Sequence, residues 1–150
     1  MDGKKLYELV AKDPVLKAHF VGVFAADELP HHMQVGTGLI VNCCKRELPG
    51  EHWLALFQST RNKVEFFDSF GNTPSTYGLK IKSGQLDQWN NIQLQNLFST
   101  VCGLYCIFYL SRRVRGNHMS TIVNIFSEHN TVFNDELVRK KICKYFDLVK

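Results

Sequence analysis

No stretch of this 150-residue chain is apolar for long enough to cross a bilayer. The longest, Val101 to Leu110, is broken by Gly103 and stops at Ser111-Arg112-Arg113, so no membrane partner is expected. No apolar segment follows the lysines of Met1-Asp2-Gly3-Lys4-Lys5-Leu6, so no secretory signal is read there and the mature chain is expected to begin near Met1. Proline is scarce, with four residues, and no linker rich in Pro, Gly or Ser interrupts the chain. With no internal repeat or low-complexity segment either, the expectation is one domain over residues 1–150. No Cys-x-x-Cys spacing occurs, and the five cysteines are odd in number without a regular framework. A disulfide scaffold is thereby excluded, and a reducing compartment fits better than secretion. Nor is the charge strongly of one sign: 18 Lys and Arg against 14 Asp and Glu leave +4, which tolerates an acidic partner without requiring one. What is present is ordinary globular composition, 45% hydrophobic and 21% charged.

Patterning along the chain predicts strands early and helices late, an α+β class. Leu6, Leu9 and Val10 recur at helical spacing over residues 3–12, and Asp13-Pro14 reads as the stop. Phe20 to Phe24 reads as a strand, Asp27-Glu28-Leu29-Pro30 as a turn and residues 30–36 as loop. Gly38 to Cys43, His52 to Gln58 and Val64 to Asp68 follow as strands, the last two joined by Ser59-Thr60-Arg61-Asn62-Lys63 as a hairpin. Leu54 and Leu56 lie on one parity and Trp53, Ala55 and Phe57 on the other, which predicts a sheet covered on both faces by helices. Gly71 to Gln88 reads as loop and Trp89 to Gln95 as a strand. Helices are expected over Cys102 to Val114, over Met119 to Ser127, and from about Asp135 with Asn134 as N-cap.

Cys102 stands where Ser99-Thr100-Val101 gives way to an apolar helical run. A thiol there feels the positive end of the helix dipole and free N–H groups, which favour thiolate, while Gly103 lets a substrate backbone approach. His52 opens a strand and Asp68 closes the next, so a hairpin brings both to one edge of the sheet. Asp68 would then orient one imidazole nitrogen while the other faces the thiol. A side-chain amide and the Cys102 N–H would bind the developing oxyanion; Gln95, seven residues before Cys102, and Gln93 both qualify. Taken singly, each of these residues is more often structural: a buried thiol, a surface histidine, a turn aspartate, a loop glutamine.

Together, Gly50-Glu51-His52-Trp53-Leu54-Ala55, Phe67-Asp68-Ser69-Phe70-Gly71, Gln95 and Cys102-Gly103-Leu104-Tyr105-Cys106 resemble the adenovirus-type cysteine endopeptidases (adenain), which are related more distantly to the SUMO-deconjugating proteases. Order and spacing agree, and Leu6 to Phe24 and Gly38 to Asn42 look like the family's opening helix and strand. The region after Ser111 is only weakly similar. The resemblance implies a papain-like α+β fold with a central mixed or antiparallel sheet. It assigns His52 as general base, Asp68 as its orienting acid, Cys102 as nucleophile and Gln95 as oxyanion donor, with Trp53 and Gly103 meeting a substrate that carries glycine near the scissile bond. It further implies viral capsid or core precursors as substrates, and a virion and host-cell nuclear or cytoplasmic location. No cofactor is required, with DNA or a viral peptide as candidate activators and partners. Two departures stand out: adenovirus enzymes usually carry Glu where Asp68 stands, and the interval from Asp68 to Cys102 is shorter than theirs. Removal of a ubiquitin-like modifier is the alternative activity, and a catalytically silent binding module is the alternative from another class.

His31-His32 and Cys43-Cys44 invite a zinc reading. Strand neighbours point to opposite faces, however, so no metal site is expected. Cys106 should lie in the core behind Cys102, and Cys143 on the apolar face of the last helix. Arg112, Arg113, Arg115 and the group from Arg139 to Lys144 are the candidates for tracking phosphates, against the usual role of a solvated face.

Overall fold

A computed structural model describes residues 1–147, with side chains through Lys144. The elements are α1 (Gly3–Ala11), α2 (Pro14–Ala18), β1 (Phe20–Phe24), β2 (Gly38–Asn42), β3 (Trp53–Thr60), β4 (Lys63–Phe67), β5 (Gln85–Trp89), α3 (Cys102–Val114), α4 (Met119–Val123) and α5 (Thr131–Asp147). Among the described residues no helix is long and apolar enough to cross a membrane. The fold is α+β, a five-stranded mixed sheet in the order β1-β2-β3-β4-β5 packed by helices. β2 to β4 are antiparallel neighbours, while β1 and β5 pair in parallel with β2 and β4 at the two edges.

The parity of β3 sorts the core. Ala55 and Phe57, with Trp53 beside them, face a cluster built from α1, α2, α3, α4 and α5. Leu54 and Leu56 face a second cluster with Leu29, Met33 and Leu79. That second face departs from the sequence expectation, because connecting segments and short 3-10 turns cover it rather than helices. Few apolar side chains suffice for a small sheet, and these loops supply them.

α3 crosses the helical face, and Tyr105, Cys106, Ile107, Tyr109 and Leu110 on it are fully buried. Burying each of the larger apolar side chains favours the fold by ~1.5–3 kcal/mol relative to exposure. The Tyr109 ring stacks on Phe67 of β4 at 4.5 Å, which fixes α3 against the hairpin. Polar ties complete the placement. Arg113 Nε donates to Glu65 at 2.8 Å and Tyr109 donates to the same oxygen. Asp13 caps α2 through the Val15 and Leu16 N–H groups while receiving Ser111 and Arg115. Arg113 and Arg115, two of the residues proposed to track phosphates, are thus engaged by buried carboxylates.

Four local expectations change. Asp13-Pro14 ends α1 and also starts α2, with proline at the first helical position where its missing N–H costs nothing. Residues 85–89 form the fifth strand, and 90–95 do not. α5 begins at Thr131; the Asn130 side chain accepts from Phe133 N–H, whereas Asn134 sits inside the helix, donating to Leu94 O and Ser127 O. Cys143 is exposed, off the apolar face that Val138 and Ile142 bury.

Candidate active site

The hairpin places its two polar ends together. His52 precedes β3 and stays on the ladder, because Cys43 N–H donates to its carbonyl at 2.9 Å. Asp68 follows β4 and is completely buried. His52 Nε2 lies 2.7 Å from Asp68 Oδ1, which leaves Nδ1 for a second partner, and Cys102 is near enough to help raise the imidazole's pKa. Phe70 stacks on the imidazole at 4.5 Å and 17°. Cys102 is the first residue of α3, and no side chain caps that terminus, so dipole and backbone N–H groups are directed at the sulfur's surroundings.

Electrostatics follow from these contacts. Burial would lower the His52 pKa, but hydrogen bonds to Asp68 and Cys102 outweigh it and raise it to about 9. Burial would raise the Cys102 thiol; the His52 imidazole and the N–H groups of Trp53 and Gly103 outweigh it and hold the thiol below its ordinary 9.0. The two shifts run in opposite directions, the imidazole up and the thiol down, and together favour a thiolate–imidazolium pair near neutrality. The other thiols with a shift move the opposite way: burial and the neighbouring Cys44 push Cys43 up to about 12, and complete burial carries Cys106 well up.

Cys102, His52, Trp53 and Gln95 line one open cleft of about 990 Å³. Gln95 is fully buried. Its Oε1 accepts from Ser69 Oγ, and its Nε2 donates to Ser99 O at 3.0 Å and approaches Ser99 Oγ at 3.1 Å. Gln93 instead donates to the Gln95 carbonyl. Strand parity does not decide between them because the segment is irregular, with Leu94 and Gln95 N–H both bonded to Ser69 O.

No protein-family model matches the sequence, and no curated protein matches it. Among solved structures, the chain is similar to the crystal structure of the selenomethionine form of ASFV pS273R protease, at 23% identity and a TM-score of 0.48. The match covers 71% of this chain and 42% of that one, so the chain spans less than half of that neighbour's length. No family membership follows from a likeness at this level.

Gly103 occupies a different setting from the expected one. A Cβ there would meet Leu6 Cδ2 at 3.0 Å and Met1 Sδ at 3.1 Å. The space beside it is filled by the N-terminal segment, and close packing of α1 on α3 accounts for the glycine. Trp53 does line the cleft, and its indole N–H donates to Met1 O at 2.9 Å.

Residues around Asp68 escaped the sequence reading. Tyr77 donates its hydroxyl to Asp68 Oδ2, and the N–H groups of Phe70 and Asn72 donate to the carboxylate at 2.9 and 3.1 Å. Asn90, just past β5, receives Asp68 N–H at 2.8 Å and donates to Asp68 O. The turn after Asp68 closes on Gly71, whose φ is +77° and whose Cβ, if present, would lie 2.6 Å from the Ile92 carbonyl carbon. Only glycine fits that conformation and that approach.

Proposed function

We propose that this protein is a cysteine peptidase in which Cys102 is the nucleophile, His52 the general acid and base, Asp68 the orienting acid and Gln95 an oxyanion donor. The observation that carries the reading is the buried His52 imidazole, bonded to Asp68 at 2.7 Å and lining one cleft with the Cys102 thiol.

The chemistry follows from that arrangement. The Cys102 thiolate attacks a peptide carbonyl, forming a C–S bond and moving the carbonyl electron pair onto oxygen. The Cys102 N–H and the Gln95 amide receive that oxyanion, Gln95 giving up its contact to Ser99 Oγ. The His52 imidazolium protonates the departing nitrogen as the C–N bond breaks, leaving a thioester and a neutral imidazole. Water, deprotonated by His52, then attacks the thioester; the carboxylic acid leaves and the thiolate–imidazolium pair is restored. Asp68 holds the imidazole in orientation throughout, its oxygens occupied by His52, Tyr77 and backbone N–H groups.

The sequence resemblance extends this reading to viral capsid or core precursors with glycine near the cleaved bond, with removal of a ubiquitin-like modifier as the competing substrate class. The test presents the protein with precursor-type peptides containing glycine pairs and with a fluorogenic modifier ending in Gly-Gly. Cleavage of internal peptide bonds, abolished in Cys102→Ala, is the expected result. Release from the modifier alone transfers the function to deconjugation. No turnover of either, with no acyl-enzyme trapped at Cys102, overturns the peptidase reading in favour of a binding module.

A further inference from the structure

β2 ends at Asn42, and Cys43 and Cys44 follow in a bend rather than in extended strand. Their side chains therefore do not diverge to opposite faces, as strand neighbours would. The two sulfurs stand 3.7 Å apart, and a carboxylate oxygen of Glu51 lies within 4.8 Å of both. Two sulfurs each ~2.3 Å from a tetrahedral ion are ~3.8 Å apart, the separation already present here. The pair is held in place by its backbone. Cys44 N–H donates to Asn42 Oδ1 at 3.0 Å, Cys43 N–H to His52 O at 2.9 Å, and Ala26 N–H to Cys44 O at 3.0 Å. The Glu51 residue is exposed.

We propose that Cys43, Cys44 and Glu51 bind a thiophilic divalent cation of the Zn²⁺ type, which clamps the loop between β2 and β3. Two sulfurs and one carboxylate select Zn²⁺ or Cd²⁺ over the hard ions Mg²⁺ and Ca²⁺. Three protein ligands leave the fourth position to water, the pattern of an exchangeable site rather than a closed structural one. The ion would join the two ends of a loop whose Lys45, Arg46 and Leu48 wall the cleft.

The site is independent of the peptidase reading, so its test uses the full chain carrying Cys102→Ala, kept reduced with a phosphine. Cd²⁺ titration should give a sulfur-to-cadmium charge-transfer band saturating at one ion per chain, displaced by Zn²⁺ and not by Mg²⁺. Cys44→Ser should remove the band and weaken Zn²⁺ by ~100-fold, and Glu51→Gln should weaken it by ~10-fold. Zn²⁺ should also slow tryptic cleavage after Lys45 and Arg46. Should a cysteine variant fail to fold, Glu51→Gln, altered only at an exposed side chain, carries the comparison. Absence of the band, its survival in Cys44→Ser, or its loss in Cys143→Ser would overturn the proposal.

Discussion

Nε2 of His52 and Oδ1 of Asp68 lie 2.7 Å apart, the imidazole 8% and the carboxylate 0% exposed, at the open end of the hairpin where the strand after His52 begins and the strand before Asp68 ends. Antiparallel pairing of β3 with β4, Ala55 opposite Phe67, sets the distance between their backbones. Asn90 holds the Asp68 backbone at both N–H and C=O, and Tyr77 donates to Oδ2, so that Oδ1 remains directed at the imidazole.

The proposed mechanism requires the Cys102 thiolate and the His52 imidazolium together, and activity tracks that pair. It should rise on the acid side as the thiol, held below 9.0, loses its proton, and fall near pH 9 as the imidazolium loses its own. Asp68→Asn removes a hydrogen bond and a charge that both raise the His52 pKa. The alkaline limb of kcat/KM should move down from about 9 toward 6.5, with kcat lower by ~10³–10⁴-fold. A pH–rate profile measures both.

Gln95→Ala should lower kcat by ~10²–10³-fold with KM little changed, the pattern of a donor that matters in the transition state. Gln93→Ala should leave both parameters near the wild-type values, because its amide is turned to the Gln95 carbonyl. Steady-state kinetics on the two variants make the comparison.

The pairing of His52 with Asp68 was legible in the sequence because it depends on one hairpin, which two apolar runs flanking the polar turn Ser59-Thr60-Arg61-Asn62-Lys63 report. The fifth strand was not legible. Gln85-Leu86-Asp87-Gln88-Trp89 lies at the sheet edge with four of its five residues exposed, so burial imposes no hydrophobic pattern on it. Asn90 and Tyr77 were hidden for another reason: their contact with Asp68 is made by a loop path, 22 and 9 residues away in sequence, that no local propensity encodes. Cys43 and Cys44 were misread because strand alternation was extended past Asn42, where the chain bends.

Glu65 is 2% exposed and receives Arg113, Tyr109 and Gln88. Burial would raise its pKa, but these donors, Arg113 first, hold it below the ordinary carboxylate value. Its stabilising contribution is therefore present above the unfolded-state pKa and lost as pH falls through the lower folded value. Arg113→Met should destabilise the fold by about 3–5 kcal/mol at neutral pH by leaving a buried carboxylate without its counter-charge. In that variant the sign reverses, and stability should increase on mild acidification as Glu65 takes up a proton. Denaturant unfolding of both proteins between pH 4 and pH 7 reads the slopes, with ~4.3 the unperturbed value between them.

The central claim is that Cys102 is a thiolate sustained by His52. Its most direct measurement is the rate of alkylation by iodoacetamide as a function of pH, resolved for each cysteine by peptide mapping, in the wild-type chain and in His52→Ala. The account predicts labelling of Cys102 ahead of Cys43 and Cys106, with an inflection below 9.0 that moves upward in His52→Ala. An inflection at or above the ordinary thiol value, or one that His52→Ala leaves in place, would contradict it.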